Sequence, residues 1–313
     1  MTALPVTMMS TNTNESACTT VGLLEDRYVL GELLGAGSMG QVYAARDTVL
    51  GIDVAVKMLY PELVGSRRHV DRFAQEARIA ARMLSRNVVK VLGLAVTSEG
   101  APCVVYERLE GETLGERIVR EGGIPLADTL EIVKQMSHAL TRAHTIGVIH
   151  RDVKPDNIFL TRDAEGRLLV KLLDFGIAEI EGADGSYAHC QMAGTPEYMA
   201  PEILLGTHES DRTVDLYALG VTVFECLTGQ CPFPGPVENV IAALRAGIRA
   251  PFTEHRPDLH GAIDAWMDRA LHQDPFWRFT TVKELRDAFE AAMPGATATA
   301  AQKSSPATLR AAA

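Results

Sequence analysis

Four short stretches of this 313-residue sequence carry residue types that could handle a phosphate and a proton. The densest is HRDVKPDN. There His150, Arg151, Asp152, Lys154 and Asn157 set a possible general base, two cations and an amide ligand within one loop. Soon after it, KLLDFG places Asp174 at the end of an apolar strand and before a glycine that frees the backbone to turn. An Asp and an Asn are oxygen ligands of the kind Mg2+ takes alongside waters and phosphates. Nearer the N-terminus, GAGSMGQV spaces Gly35, Gly37 and Gly40 so that backbone amides could close over phosphate oxygens without interference from a Cβ. The same spacing serves dinucleotide-binding folds and ordinary turns. A dinucleotide fingerprint opens a helix, however, and QVYAARD, which follows here, reads as a strand. The fourth stretch, VAVK, puts Lys57 on a strand with Val54 and Val56 facing the opposite way. A lone strand lysine is usually a solvated surface charge. Glu76, in the middle of a helix further on, offers this one a carboxylate.

The elements that must hold these residues change character near residue 110. Before it come short β-type runs, YVLGELL, QVYAAR, DVAVKML, VVKVLGLAV and CVVYE, separated by Gly or Asp turns. One helix interrupts them, with Val70, Phe73, Ala77, Ala80 and Leu84 recurring at helical spacing. After residue 110 helices dominate, and Leu130, Val133, Met136, Leu140 and Ala143 form the apolar stripe of a long one. DLYALGVTVFECL is apolar all round, which marks a helix in the middle of its lobe. Asp215 opens it, and a carboxylate placed there needs hydrogen-bond partners because an unpaired buried charge is very costly.

Composition bounds the rest. The chain is 47% hydrophobic, enough for a substantial core in two lobes, and its 30 basic against 40 acidic residues give a formal charge of −10. Nucleic acid and anionic bilayers are therefore disfavoured as partners. Five cysteines without a C-x-x-C pair point to free thiols in a reducing compartment, hence a cytoplasmic location. No apolar run approaches the roughly 20 residues needed to cross a bilayer. Residues 1–24 are rich in Thr, Ser and Asn without the basic start and apolar block of a secretory signal, and read as a disordered lead. The low-complexity, aromatic-free stretch from Pro294 to Ala313 reads as a disordered tail.

With GTPEYMAPE added to the other motifs, the chain resembles a eukaryotic-type (Hanks-type) protein kinase of the bacterial serine/threonine branch, over residues from about 27 to 292. The resemblance implies an α+β, two-lobed fold. Residues 25–109 would form a small N-terminal lobe, a five-stranded antiparallel sheet plus one helix, and residues 110–293 a larger, mainly helical C-terminal lobe. It implies transfer of the γ-phosphoryl of Mg-ATP to Ser/Thr hydroxyls of protein substrates, with ATP and Mg2+ as the small partners. In that reading Gly35, Gly37 and Gly40 cover the phosphates, and Lys57, steadied by Glu76, holds the α- and β-phosphates. Asn157 and Asp174 carry the metal. Asp152 accepts the substrate proton, Lys154 reaches the γ-phosphoryl, and Thr195 bonds to Asp152 or Lys154. Glu107 offers adenine its carbonyl and Leu109 its amide. Tyr106 is the gatekeeper, and Leu34, Val42, Ala55 and Phe159 sandwich the ring. Three further matches are structural: Glu202 with Arg278, Asp215 with the backbone of the HRD loop, and His150 beneath Phe175. Two rival readings stand beside this one. An ATP-binding pseudokinase scaffold would commonly lack the strand Lys, the HRD Asp or the DFG Asp, all present here. A small-molecule kinase of the aminoglycoside type would lack the GTPEYMAPE platform.

The stretch from Ile177 to Gly194 would be the activation segment. It holds Glu179, Glu181 and Asp184, one Ser and one Tyr, and no Lys, Arg or Thr. Many relatives carry a base where Glu179 stands, to help hold a phosphorylated side chain. The expectation is that Arg151 pairs with a resident carboxylate, Glu179, Glu181 or Asp184, so that the segment orders without phosphate; the alternatives are a loop left disordered until a substrate or partner binds, and autophosphorylation on Ser186 or Tyr187.

Overall fold

The computed structural model describes residues 23–24, 26–175, 195–206, 211–246, 252–259 and 261–293. The β-type runs form one antiparallel sheet of β1 (Leu23–Leu24), β2 (Tyr28–Ala36), β3 (Gly40–Asp47), β4 (Ile52–Leu59), β5 (Val91–Val96) and β6 (Pro102–Glu107), in the order β1-β2-β3-β4-β6-β5. Five of these are the expected strands. The two-residue β1 is an addition: Leu23 and Leu24 pair with Val29 and Tyr28, and Leu24 is buried, so the lobe starts two residues before the boundary read from composition. The physical reason is apolar burial against Tyr28 and Leu30, which a Thr- and Ser-rich neighbourhood obscures.

At the tip between β2 and β3 the Gly37 amide donates to the Gly40 carbonyl at 2.9 Å. Gly40 itself is dictated by packing, since a Cβ there would lie 2.0 Å from the Met58 carbonyl oxygen of β4. Gly35, in contrast, has no atom within 4 Å of where its Cβ would sit.

Between β4 and β5 the chain makes α1 (Pro61–Val64) and α2 (Arg67–Arg82). α2 buries Phe73 and Ala77 against the sheet, Ile79 and Ala80 in the core shared with the second lobe, and Glu76 beside them. It ends at Arg82, and Leu84, expected on its apolar stripe, is 82% exposed instead. The stripe is completed by Ile79, because the chain leaves the helix before Leu84 for a loop bonded to the second lobe. That departure is tightly fixed. The Val89 amide donates to Leu172 O at 3.0 Å, the Leu172 amide to Asn87 O at 2.8 Å, and the buried Asn87 amide group to Gln135 Oε1 and Val170 O at 2.8 and 2.9 Å.

The second lobe begins with β7 (Glu112–Thr113) and α3 (Leu114–Glu121). Thr113 and Glu116 form a reciprocal capping box at the start of α3, and left-handed Gly122 stops it. α4 (Leu126–Thr145) then buries Val133, Met136, Leu140 and Ala143, as its spacing predicts. β8 (Ile158–Arg162) and β9 (Leu168–Leu172) join β7 in a three-stranded sheet at the lobe boundary. α5 (Pro201–Leu205), α6 (Thr213–Thr228), α7 (Val237–Ala246), α8 (Phe252–His255), α9 (Ala262–Ala270) and α10 (Val282–Ala291) complete the lobe. α6 is buried on every side, with Asp215, Leu216, Leu219 and Phe224 at 1% exposure or less.

Arg278 and Glu202 form a bidentate pair at 2.7 and 2.8 Å inside this lobe. Arg278 also donates to the carbonyls of His272 and Gln273 and lies 4.7 Å over the Tyr217 ring. Replacing Glu202 by Ala would strand a buried guanidinium, and is expected to lower the unfolding free energy by about 3–5 kcal/mol in urea denaturation. The half-exposed Arg46–Asp53 pair, though only 2.6 Å long, should cost less than about 1 kcal/mol when broken. By the same measurement Gly40→Ala is expected to destabilise strongly, since β3 and β4 must part to admit the methyl group. Gly35→Ala should leave stability within about 0.5 kcal/mol of the parent.

Candidate active site

The backbone at the start of the HRDVKPDN loop hangs from Asp215. Its carboxylate, wholly buried at the start of α6, accepts from the His150 amide at 2.9 Å, the Arg151 amide at 2.8 Å and His144 Nε2 at 2.7 Å. These bonds hold Arg151 at φ 65°, a conformation costly for a non-glycine residue and affordable only where its surroundings over-determine it. The His150 ring packs 4.8 Å from that of Phe175. Its Nε2 lies 3.0 Å from Leu173 O, an acceptor, while Nδ1 takes the Asp152 amide at 3.2 Å. The network therefore fixes a neutral imidazole with its proton on Nε2.

The loop delivers three polar groups that form one contact chain with Thr195. Asn157 Nδ2 donates to the Asp152 carboxylate at 2.7 Å and to the Asp152 carbonyl at 2.8 Å. Lys154 Nζ sits 3.2 Å from Asp152 Oδ2 and donates to Thr195 Oγ1 at 2.9 Å. With Nδ2 committed, the Asn157 Oδ1 is the atom left for an oxygen-seeking cation. The Leu173 amide donates to Asn157 O at 2.8 Å, which ties this loop to the segment carrying Asp174.

Asp174 closes the gap to the first lobe. At φ 27° its backbone is strained, and its Oδ1 meets Lys57 Nζ at 2.8 Å while Glu76 Oε1 meets the same ammonium at 3.3 Å. Burial alone would strip Lys57 of its proton more easily, but Asp174 and Glu76 outweigh it and the pKa is raised. Glu76 is pushed up to about 7, chiefly by burial, with Lys57 pulling the other way. One ammonium is thus shared by two carboxylates, and Asp174, 43% exposed against 10% for Glu76, is the one able to leave for another cation.

Between the lobes lies a cavity of about 340 Å³. Leu34, Gly35, Val42 and Ala55 line it from the sheet, Lys57 and Asp174 stand at its polar end, Tyr106, Glu107 and Leu109 form its wall, and Phe159 belongs to its floor. Gly37 and Gly40 are not among its lining residues, and neither is Glu76, which acts on it through Lys57. Asp152, Lys154, Asn157 and Thr195 form the adjoining cluster rather than the lining. Sequence reasoning missed Val89, Leu173, Thr113 and Glu116 in the lining. Leu173 had a readable signal, its place directly before Asp174, whereas Val89 enters only because its loop is pinned to β9. The oxygen-rich donor set of Asn157 and Asp174 fits Mg2+, and no group of three or more His, Cys, Asp or Glu able to hold a metal occurs among the described residues. Glu179, Glu181, Asp184, Ser186 and Tyr187 lie outside the described residues, so the expected pairing with Arg151 does too.

Comparison with known proteins agrees with this geometry. Residues 28–289 match the protein kinase domain family. The chain is 34% identical over 277 residues to the serine/threonine-protein kinase pkn2 of Myxococcus xanthus, covering 86% of this chain and 33% of that protein. It is 37% identical over 274 residues to the serine/threonine-protein kinase PknB of Mycobacterium leprae, covering 86% of this chain and 43% of that one. The chain thus spans well under half the length of these curated relatives. Among solved structures, the kinase domain of Mycobacterium tuberculosis PknI superposes with a TM-score of 0.67 at 26% identity, over 88% of this chain and all of that one. Motifs, lobes, cavity and relatives agree, and the chain belongs to the protein kinase family, with its likeness to the bacterial serine/threonine kinases.

Proposed function

We propose that the chain is a serine/threonine protein kinase that transfers the γ-phosphoryl of Mg-ATP to Ser or Thr hydroxyls of protein substrates. The observation that carries this is the contact chain Thr195–Lys154–Asp152–Asn157, standing beside a lysine shared by Glu76 and Asp174 at the polar end of the cavity. A pseudokinase scaffold is the weaker reading, because the three groups such proteins commonly lose are present and in mutual contact range of their partners.

Adenine would enter the wall at Glu107 to Leu109, between Val42 and Ala55 above and Phe159 below, leaving the phosphates near Lys57. Bound Mg2+, held by Asn157 and Asp174, would neutralise charge on the β- and γ-oxygens. The substrate hydroxyl oxygen attacks the γ-phosphorus, the bond from that phosphorus to the bridging oxygen breaks, and ADP takes the electron pair. The hydroxyl proton passes to Asp152. Asn157 fixes the rotamer of that carboxylate, and Lys154, 3.2 Å from it, would reach the transferring group. Thr195 holds Lys154 in turn.

The regulatory part of the proposal concerns the segment around residues 177–194. Its carboxylates Glu179, Glu181 and Asp184 would supply the negative charge that Arg151 otherwise takes from a phosphorylated side chain. As for its surroundings, Cys103 and Cys226 are buried free thiols and the Cys231 thiol is pushed up to about 12 by burial, which suits a reducing compartment such as the cytoplasm. No helix among the described residues is long and apolar enough to cross a membrane.

Asp152→Asn is expected to cut kcat by about 10²–10⁴-fold with little change in ATP affinity, read by transfer from radiolabelled ATP to a general protein substrate and by nucleotide titration. Unchanged turnover would reject the mechanism. Neutralising Glu179, Glu181 and Asp184 together should lower kcat, whereas Ser186→Ala with Tyr187→Phe should leave it nearly unaltered. The reverse pattern would show that the segment depends on phosphorylation.

A further inference from the structure

Among the described residues two lysines are buried to 8% exposure, Lys57 and Lys171. The first is explained by the phosphates. The second opens the KLLDFG stretch but has no role assigned to it there, yet burying an ammonium is costly and must be compensated. Its compensation is a single carboxylate: Lys171 Nζ meets Glu107 Oε1 at 2.6 Å. Glu107 is the last residue of β6 and part of the cavity wall, and its carbonyl is the atom assigned to the adenine amine.

We infer that Lys171 is a positioning residue for adenine recognition, holding the hinge backbone at Glu107 from behind. The inference rests on reading the cavity as the ATP site. Lys171 stands opposite Phe159 in the β8–β9 pair, so both side chains share one face of the small sheet. Phe159 reaches the cavity from below, and Lys171 reaches the rear of the wall beside it. That wall is one strand thick. Glu107, Arg108 and Leu109 line both the 340 Å³ cavity in front and a groove of about 790 Å³ behind, which Lys171 also lines.

Glu107 is gripped on two sides. Its Oε1 takes the Lys90 amide at 2.8 Å as well as Lys171, and its own amide donates to Lys90 O at 3.0 Å. The Lys90 bonds belong to the loop between α2 and β5. Among the described residues the Lys171 bond is the one that ties the residue to β9, the strand that leads directly into Leu173 and Asp174. Other cations of the rear groove are engaged elsewhere: Arg46 with Asp53, Arg108 with Glu32, and Arg162 with Gly166 O. None stands ready to replace Lys171. Its removal therefore leaves the Glu107 carboxylate half-satisfied and lets the peptide that reads the base shift, and displacements of about 1 Å are enough to matter for positioning.

The test compares steady-state kinetics with ATP and with GTP, which carries a carbonyl oxygen where ATP carries the amine. A fixed Glu107 carbonyl accepts from one and repels the other. Lys171→Met is expected to raise the ATP KM by about tenfold, to leave kcat within about twofold, and to shrink the ratio of the GTP KM to the ATP KM. Lys171→Arg should recover most of that ratio. Should Lys171→Met fail to fold, Lys171→Gln keeps a donor at the carboxylate and should give an intermediate ratio. A ratio equal to the wild-type value in any folded Met or Gln variant overturns the inference, even if the ATP KM rises, because general loosening would not alter base preference. A wild-type chain that transfers nothing from ATP would remove the kinase reading itself, and this inference with it.

Discussion

One buried carboxylate sets the frame for everything polar in this molecule. Asp215 sits inside a lobe where an ion without partners could not survive, and its three hydrogen bonds come from His150, Arg151 and His144. Because α6 is enclosed on every side, Asp215 cannot move, and the loop that hangs from it cannot either. The strain at Arg151 is the local cost of that anchorage. Preorganisation of this kind is what phosphoryl transfer needs, since the protein contributes position and charge more than covalent chemistry.

The second constraint is the seam between the lobes. The Asn87–Val89 loop is bonded to Leu172, Val170 and Gln135, so the part of the first lobe that follows α2 is fixed to the second. Lys57 spans the seam further forward, held by Glu76 from its own lobe and by Asp174 from the other. Mg2+, with two positive charges, would compete for Asp174 far better than one ammonium does. The seam is thus firm at the back and exchangeable at the front.

Much of this was legible in the sequence. Asp152, Lys154, Asn157 and Asp174 stand within 23 positions of one another, on a loop and a strand end whose residue types have little other use. Five strands, α2, α4 and the all-round apolar α6 follow from periodicity. What escaped reading are contacts made at long range. Leu84 fits the helical spacing of α2 but lies beyond the turn toward the seam, and nothing local marks that turn. Lys171 looks like any strand lysine until the fold brings Glu107 of the first lobe against it, 64 residues away. Gly40 fits the spacing of a phosphate cradle, but the second demand on it, the Met58 carbonyl of β4 lying 2.0 Å from where a Cβ would sit, shows nowhere in its own segment. Each of these depends on what arrives from elsewhere in the chain, and a pattern read along one segment contains no term for that.

The attachment of residues 87–89 to β9 fixes where the lobes can swing. Rotation about that attachment moves atoms in proportion to their distance from it, so Val89 and the hinge peptide barely shift while the turn at Gly37 sweeps the widest arc. With ATP seated as proposed, its base would lie near that pivot and its phosphates toward the wider arc. Substitutions beside the pivot would then alter how the whole cleft opens without touching anything that reacts.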